Sequence, residues 1–266
     1  MEISEYIKRT RVTYEDFSDI AKDYSHVGSF AYWPSALESK NGRLPSNDYD
    51  AEQYYQRAIG DPQFFDQYLA GHLTKGVVFL GYNFGIKTAE AKSKSIEQMA
   101  QDHKVAPFTN QHNPSQTGKS IFPYFSPDSP VCGAYCTDFL KFLPKDSHSD
   151  QYEMTGAPTP VATDLDNYIE KHPGMIAANI AGLETELKKG LGVPDTFILV
   201  LMHANLVSFI PSLKKSFPNA LIYQKYPHYR AFTTGYEDFP AMMKKPVQEL
   251  TTSITNYIKD LPEDAL

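Results

Sequence analysis

Apolar and polar positions divide this chain into short buried runs separated by longer amphipathic stretches. Gly76-Val77-Val78-Phe79-Leu80 is apolar throughout and too brief for a free-standing helix. It predicts a strand covered on both faces and ending in the glycine-bounded turn Gly81-Tyr82-Asn83-Phe84-Gly85. A second strand is expected over residues 133–137, running into Asp138-Phe139-Leu140-Lys141, a third over 196–202 and a fourth over 220–224. The fourth feeds Lys225-Tyr226-Pro227-His228-Tyr229-Arg230.

Helical spacing fills the intervals. It marks residues 88–102, 165–170 and 173–191, the last opened by Pro173 and closed by Gly190 and Gly192. Leu206, Phe209, Ile210, Leu213 and Phe217 share one helical face, with Pro211 delaying the regular start. The closing helix is expected over 246–261, where Val247, Leu250, Ile254, Ile258 and Leu261 form a stripe. Residues 1–75 are polar and tyrosine-rich, with helical patches at 14–23, 51–59 and 62–73; Asp61 is placed to cap the last and Pro62 suits its first turn. They read as a helical elaboration of the same domain, whose aromatics mostly pack. Residues 104–129 and 145–163 read as long polar connections.

Strands alternating with helices imply parallel strands joined by right-handed crossovers. The fold class expected is therefore α/β, a three-layer α/β/α arrangement with a central four-stranded parallel sheet, in one domain spanning residues 1–266, with 76–262 as its core.

Composition narrows the function classes. The chain has 266 residues, 41% hydrophobic and 21% charged, ordinary values for a domain with a sizeable core. A net charge of −7 argues against a broad nonspecific nucleic-acid surface. It leaves room for a small basic rim from Lys87, Lys92 and Lys94, or from Lys225, His228 and Arg230. Cys132 and Cys136 are too few for a disulfide framework or a four-thiolate metal site, and read as packing. No apolar run approaches the ~18 residues of a membrane span, and Met1-Glu2-Ile3-Ser4-Glu5 lacks the basic start of a signal peptide. A cytoplasmic monomer without metal or cofactor is expected.

In open parallel sheets, ligands bind beyond the carboxyl ends of the strands, where loops diverge and helix N-termini offer free N–H groups. That rule selects residues 81–85, 137–141, 203–205 and 227–230. In this order the segments resemble the uracil-DNA glycosylase superfamily, over roughly residues 76–260. Phe79-Leu80-Gly81-Tyr82-Asn83-Phe84-Gly85 is similar to its strand-ending Gly-x-Asp/Asn-Pro-type turn, closest to the Asn-bearing mismatch-specific branch. Tyr135-Cys136-Thr137-Asp138-Phe139-Leu140-Lys141 resembles the strand that carries a base-reading Asn, and Tyr226-Pro227-His228-Tyr229-Arg230 the late His-Pro-Ser-type loop.

The resemblance implies hydrolysis of the N-glycosidic bond of a flipped-out base in DNA, as in repair of deaminated or damaged bases. Such cleavage develops positive charge on the sugar and negative charge on the base, so a site must hold water on one side and stabilise an anion on the other. By resemblance Asn83 holds the water and His228 donates to the leaving base. Phe84 or an aromatic of the following loop stacks on that base, and Asp138 reads its edge. Gly81, Tyr82, Gly85, His203 and Tyr229 are expected to line the substrate pocket, and Lys141, Lys225 and Arg230 to reach DNA phosphates.

This chain departs from the family pattern at several points. Asn83 cannot act as a general base as Asp would, Phe84 stands where Pro is expected, and Pro227 precedes His228, which leaves Tyr226 as a rival position. An ionised Asp138 accepts from the N3–H of uracil but repels its O4, so another base is an open choice.

Other readings of the same residues stand beside these. Asn83 between glycines suits a left-handed turn, and Asp138 could cap a helix beginning at Phe139. His228 could be a surface histidine, and Lys141 could reach solvent. The alternative function is a catalytically silent relative that binds a nucleic acid, a nucleotide or a protein partner. A third is an unrelated doubly wound enzyme acting on a phosphorylated ligand, although the chain has neither a Gly-x-Gly-x-x-Gly nor a Walker lysine motif.

Overall fold

The computed structural model describes residues 1–35, 50–83, 106–110, 129–145, 149–154, 169–224, 226 and 239–266, the last segment with side chains from residue 244 onward. Two helices, α1 (Ile3–Arg9) and α2 (Tyr14–Tyr24), precede a short strand β1 (Ser29–Phe30). Helix α3 begins as a wide turn over Ala51–Tyr55 and continues through Gln56–Ala58, and α4 covers Pro62–Tyr68. Strands β2 (Thr74–Asn83) and β3 (Ala134–Leu140) follow, then a small hairpin of β4 (Phe142–Pro144) and β5 (Tyr152–Met154). Helix α5 (Gly174–Thr185) extends in wider turns over Glu186–Leu191. The chain closes with β6 (Ile198–Leu201), a 3-10 turn Ala204–Phe209, α6 (Ile210–Ser216), β7 (Leu221–Tyr223) and α7 (Phe239–Asp260).

Local chemistry sets several of these boundaries. Thr13 and Asp16 form a reciprocal capping box at the start of α2, and the Asp61 carboxylate accepts from the Phe64 N–H at α4, with Pro62 in the first turn. Gly192 terminates the α5 extension in a left-handed conformation, φ +66°.

The main sheet has five strands in the order β1-β3-β2-β6-β7. The four expected strands are mutually parallel. The expectation of a purely parallel sheet is corrected by β1, which adds an antiparallel edge with Ser29 opposite Cys136 and Phe30 opposite Tyr135. Two residues are too few for an alternating pattern to show in sequence. The β4–β5 hairpin likewise occupies part of the stretch read as a polar connection. Helix α7 starts at Phe239 rather than at Pro246 and passes through that proline.

Both faces of the sheet are covered, which is why its strands are apolar without interruption. On the first face Val78, Leu80, Tyr135, Phe139, Leu199 and Leu201 pack against α2 to α6 through Phe17, Tyr55, Phe65, Leu183 and Leu213. On the second, Val77, Phe79, Cys136, Ile198 and Val200 meet Tyr6 of α1 and the α7 stripe Leu250, Ile254 and Ile258. Each fully buried apolar side chain of that stripe contributes roughly 2 kcal/mol, enough for the stripe to hold α7 on the sheet despite its internal proline. Residues 1–35 feed both faces, Phe17 one and Tyr6 the other. No helix among the described residues is long and apolar enough to cross a membrane.

Candidate functional site at the ends of β2 and β3

The carboxyl ends of β2 and β3 lie side by side, with Gly81 opposite Asp138 and Asn83 opposite Leu140. The segment 81–83, expected as a turn, is strand. Among the described non-glycine residues only Phe108 has positive φ, so Asn83 is not in the left-handed conformation its glycine neighbours suggested. The strand also continues past Asp138 to Leu140, so Asp138 caps no helix.

Asn83 is half-buried, two residues beyond Gly81 on the same strand, on the face to which a Gly81 side chain would point. Gly81 is required there for space. A Cβ on it would lie 2.1 Å from Oδ1 of Asp138, so the carboxyl group occupies the place a side chain would take.

Asp138 is 4% exposed. Among the described residues its hydrogen-bond donor is Asn110, whose Nδ2 lies 3.0 Å from Oδ2 and also donates to the Val27 carbonyl at 2.6 Å. Asn110 is held there by its neighbour Phe108, which is fully buried and stacks on Phe17 at 5.1 Å. The Phe108 N–H donates to the Ser25 carbonyl, and its own carbonyl accepts from Ser29 Oγ. Phe108 pays for its position with a backbone φ of +59°, a strain of about 1 kcal/mol that aromatic packing overrides. Burial pushes the Asp138 carboxyl up to about 6; the Asn110 bond and the charge of Lys141 pull it back, and Glu186 adds to the rise. Burial also drives the thiol of Cys136 well above its usual range, with Asp138 adding to it, so that cysteine is unreactive packing as expected.

Lys141 requires a correction. Its side chain is 2% exposed and turns inward, where Nζ donates to Thr137 Oγ1 at 2.7 Å and pairs with Glu186 of the α5 extension. It cannot reach a phosphate outside the protein. Tyr135 donates to the other Glu186 oxygen at 2.8 Å, closing a buried Thr137–Lys141–Glu186–Tyr135 network on the first face of the sheet. Asp138, by strand alternation, lies on the opposite face from Thr137 and Tyr135.

Tyr82 and His203 do not join Asn83 and Asp138. Tyr82 faces the first side of the sheet, where its ring stacks on His203 with centroids 5.1 Å apart. The His203 Nδ1 accepts from the Asn205 N–H and caps the turn that follows. Beside this pair lies an open cleft of about 480 Å³ lined by Tyr82, Ile169, Glu170, Asn205, Ser208 and Phe209. Tyr226, the rival to His228, is buried edge-on against Phe79 at 5.8 Å and serves the second core.

Phe84, Gly85, Lys225, His228, Tyr229 and Arg230 lie outside the described residues, as do Lys87, Lys92, Lys94 and the helix expected over 88–102. Asn110 was missed because it falls in a loop-like stretch; the length of that connection was the only signal in sequence that it carried something other than a linker.

Among the described residues, the parallel strands thus gather Gly81, Asn83 and Asp138 on one face, with Asn110 as the added partner. Comparison of the chain with protein-family models, with curated proteins and with solved structures found no match.

Proposed function

We propose that this chain is a uracil-DNA-glycosylase-like protein that takes a flipped-out base at the ends of β2 and β3 and hydrolyses its N-glycosidic bond in DNA. The observation that supports this reading is the Gly81–Asn83–Asp138 constellation. A polar amide stands at the end of β2, and a buried carboxyl group lies beside it in the space that a side chain on Gly81 would fill.

In this reading Asn83 orients the attacking water and Asp138 meets the edge of the base. His228, which follows β7 in sequence, donates to the departing base. Asn83 positions water without removing its proton, so catalysis rests mainly on stabilising the leaving base and turnover is slow. The inward turn of Lys141 favours a second reading, in which the site binds a base or nucleotide without cleaving DNA, because it removes one of the three expected phosphate contacts.

A glycosylase assay on single- and double-stranded oligonucleotides carrying uracil, hypoxanthine or xanthine separates the two. Cleavage is expected, falling by about 100-fold or more in Asn83→Ala and in His228→Ala, as loss of a transition-state contact requires. Cleavage indifferent to both substitutions overturns the site. Retained binding with no cleavage of any of the three selects the second reading.

A further inference from the structure

Asn110 contacts two oxygens with one nitrogen. The Val27 carbonyl can only accept, so the amide nitrogen, not its oxygen, must face it, and the orientation of Asn110 is fixed without ambiguity. The second N–H then points at Asp138 Oδ2, which must accept in every protonation state. A hydroxyl oxygen is a poorer acceptor than a carbonyl oxygen, so this contact favours a carboxyl proton on Oδ1, the oxygen above Gly81.

We propose that Asn110 fixes the hydrogen-bonding polarity of Asp138, so that Oδ1 alone meets a planar cyclic amide, accepting from its ring N–H when the carboxyl is ionised and donating to a ring carbonyl when it is neutral. Asn110 is thus a positioning residue, and Asp138 a specificity determinant whose sign is set by one proton. The choice of ligand rests on the glycosylase-like reading above; the placement of the proton does not.

The groups that bear on this proton among the described residues come from three elements. Asn110 donates to the carboxyl, Lys141 favours its ionised form, and Glu186 opposes ionisation. Burial leaves the balance near pH 6, so both forms are reached under ordinary conditions.

Asp138→Asn supplies a fixed reference. With Asn110 donating to its oxygen, the new amide must present N–H at the Oδ1 position at every pH, a permanent copy of the neutral acid.

The test has two arms. In the first, the ¹³C carboxyl resonance of Asp138 is titrated without ligand. A midpoint near 6 is expected, rising in Asn110→Ala because a bond to the ionised form is lost; an unchanged midpoint overturns the proposal. In the second, binding of free uracil is compared with that of 3-methyluracil, which lacks the N3–H, at pH 5 and 7.5. The preference for uracil should be about tenfold at pH 7.5, the value of one well-made hydrogen bond, and fall toward unity at pH 5. In Asp138→Asn it should be small at both.

A preference independent of pH in the native chain means that the methyl group is excluded by shape, and the proposal fails. If neither base binds at either pH while the first arm behaves as expected, the proton placement stands and the glycosylase-like reading falls. Should Asn110→Ala not fold, the native chain and the isosteric Asp138→Asn carry the comparison between them.

Discussion

Two carboxyl groups lie buried near the end of β3, on opposite faces of the sheet, and the chain treats them differently. Glu186 is enclosed in a complete set of partners, an ion pair with Lys141 and a hydrogen bond from Tyr135, with Thr137 taking another Lys141 proton. Asp138 has one neutral amide donor and a glycine beneath its other oxygen. A buried charge with every valence answered holds structure in place, whereas one left partly answered has capacity to spare for a proton or a ligand. Burial alone does not separate them, since Glu186 is 0% and Asp138 4% exposed.

The largest expected effect breaks the closed side. Lys141→Met leaves the Glu186 carboxylate buried with Tyr135 as its remaining partner in the network, and should cost about 3–5 kcal/mol of stability in urea denaturation at pH 7. Lys141→Met combined with Glu186→Leu should recover most of that loss, because an apolar pair has no charge to desolvate. A single variant as stable as the native chain would mean that the network is not closed and that the contrast with Asp138 is false.

The open side should respond in the other direction. The folded state raises the Asp138 carboxyl from its ordinary range to about 6, so it binds the proton more tightly than the unfolded chain does. Its contribution to stability is therefore fully present below about pH 4 and is lost as pH rises through about 6. Asp138→Asn, which keeps the shape and cannot ionise, should match the native chain near pH 4 and exceed it by roughly 3 kcal/mol at pH 7.5. Denaturation of both proteins across that window checks the sign: a difference that does not grow with pH would place Asp138 among satisfied groups like Glu186.

The same contrast explains what was legible in the sequence. Apolar runs disclosed β2 and β6, periodicity disclosed α2 and the Leu250–Ile254–Ile258 stripe, and the bounding Pro173 and Gly192 disclosed α5 and its extension. From the parallel strands it followed that residues 81–83 and 138 would lie near one another. The direction in which each polar side chain turns left no such trace. Lys141 reads as a surface cation until the α5 extension brings Glu186 beneath it, a contact across 45 residues of sequence. Asn110 is set by Phe108, whose left-handed backbone depends on an aromatic cluster drawn from α2, β1 and α3. Tyr82 and Asn83 are consecutive, and the continued strand sends them to opposite faces, where a turn would have left both at the edge.

The smallest expected effect tests whether the two carboxyl groups are independent. Tyr135→Phe removes the 2.8 Å bond to Glu186 and leaves the ring against Phe30, with the Lys141 pair intact. The loss of one hydrogen bond to a charged acceptor should cost about 1.5–2 kcal/mol, less than Lys141→Met because the charge stays compensated. Tyr135 is not among the groups that set the Asp138 proton, which are Asn110, Lys141 and Glu186. The midpoint of Asp138 in Tyr135→Phe should therefore remain near 6 even as the protein becomes less stable. If it moves, the hydroxyl of Tyr135 is felt through the sheet, and the closed network on one face and the open carboxyl on the other are a single coupled system.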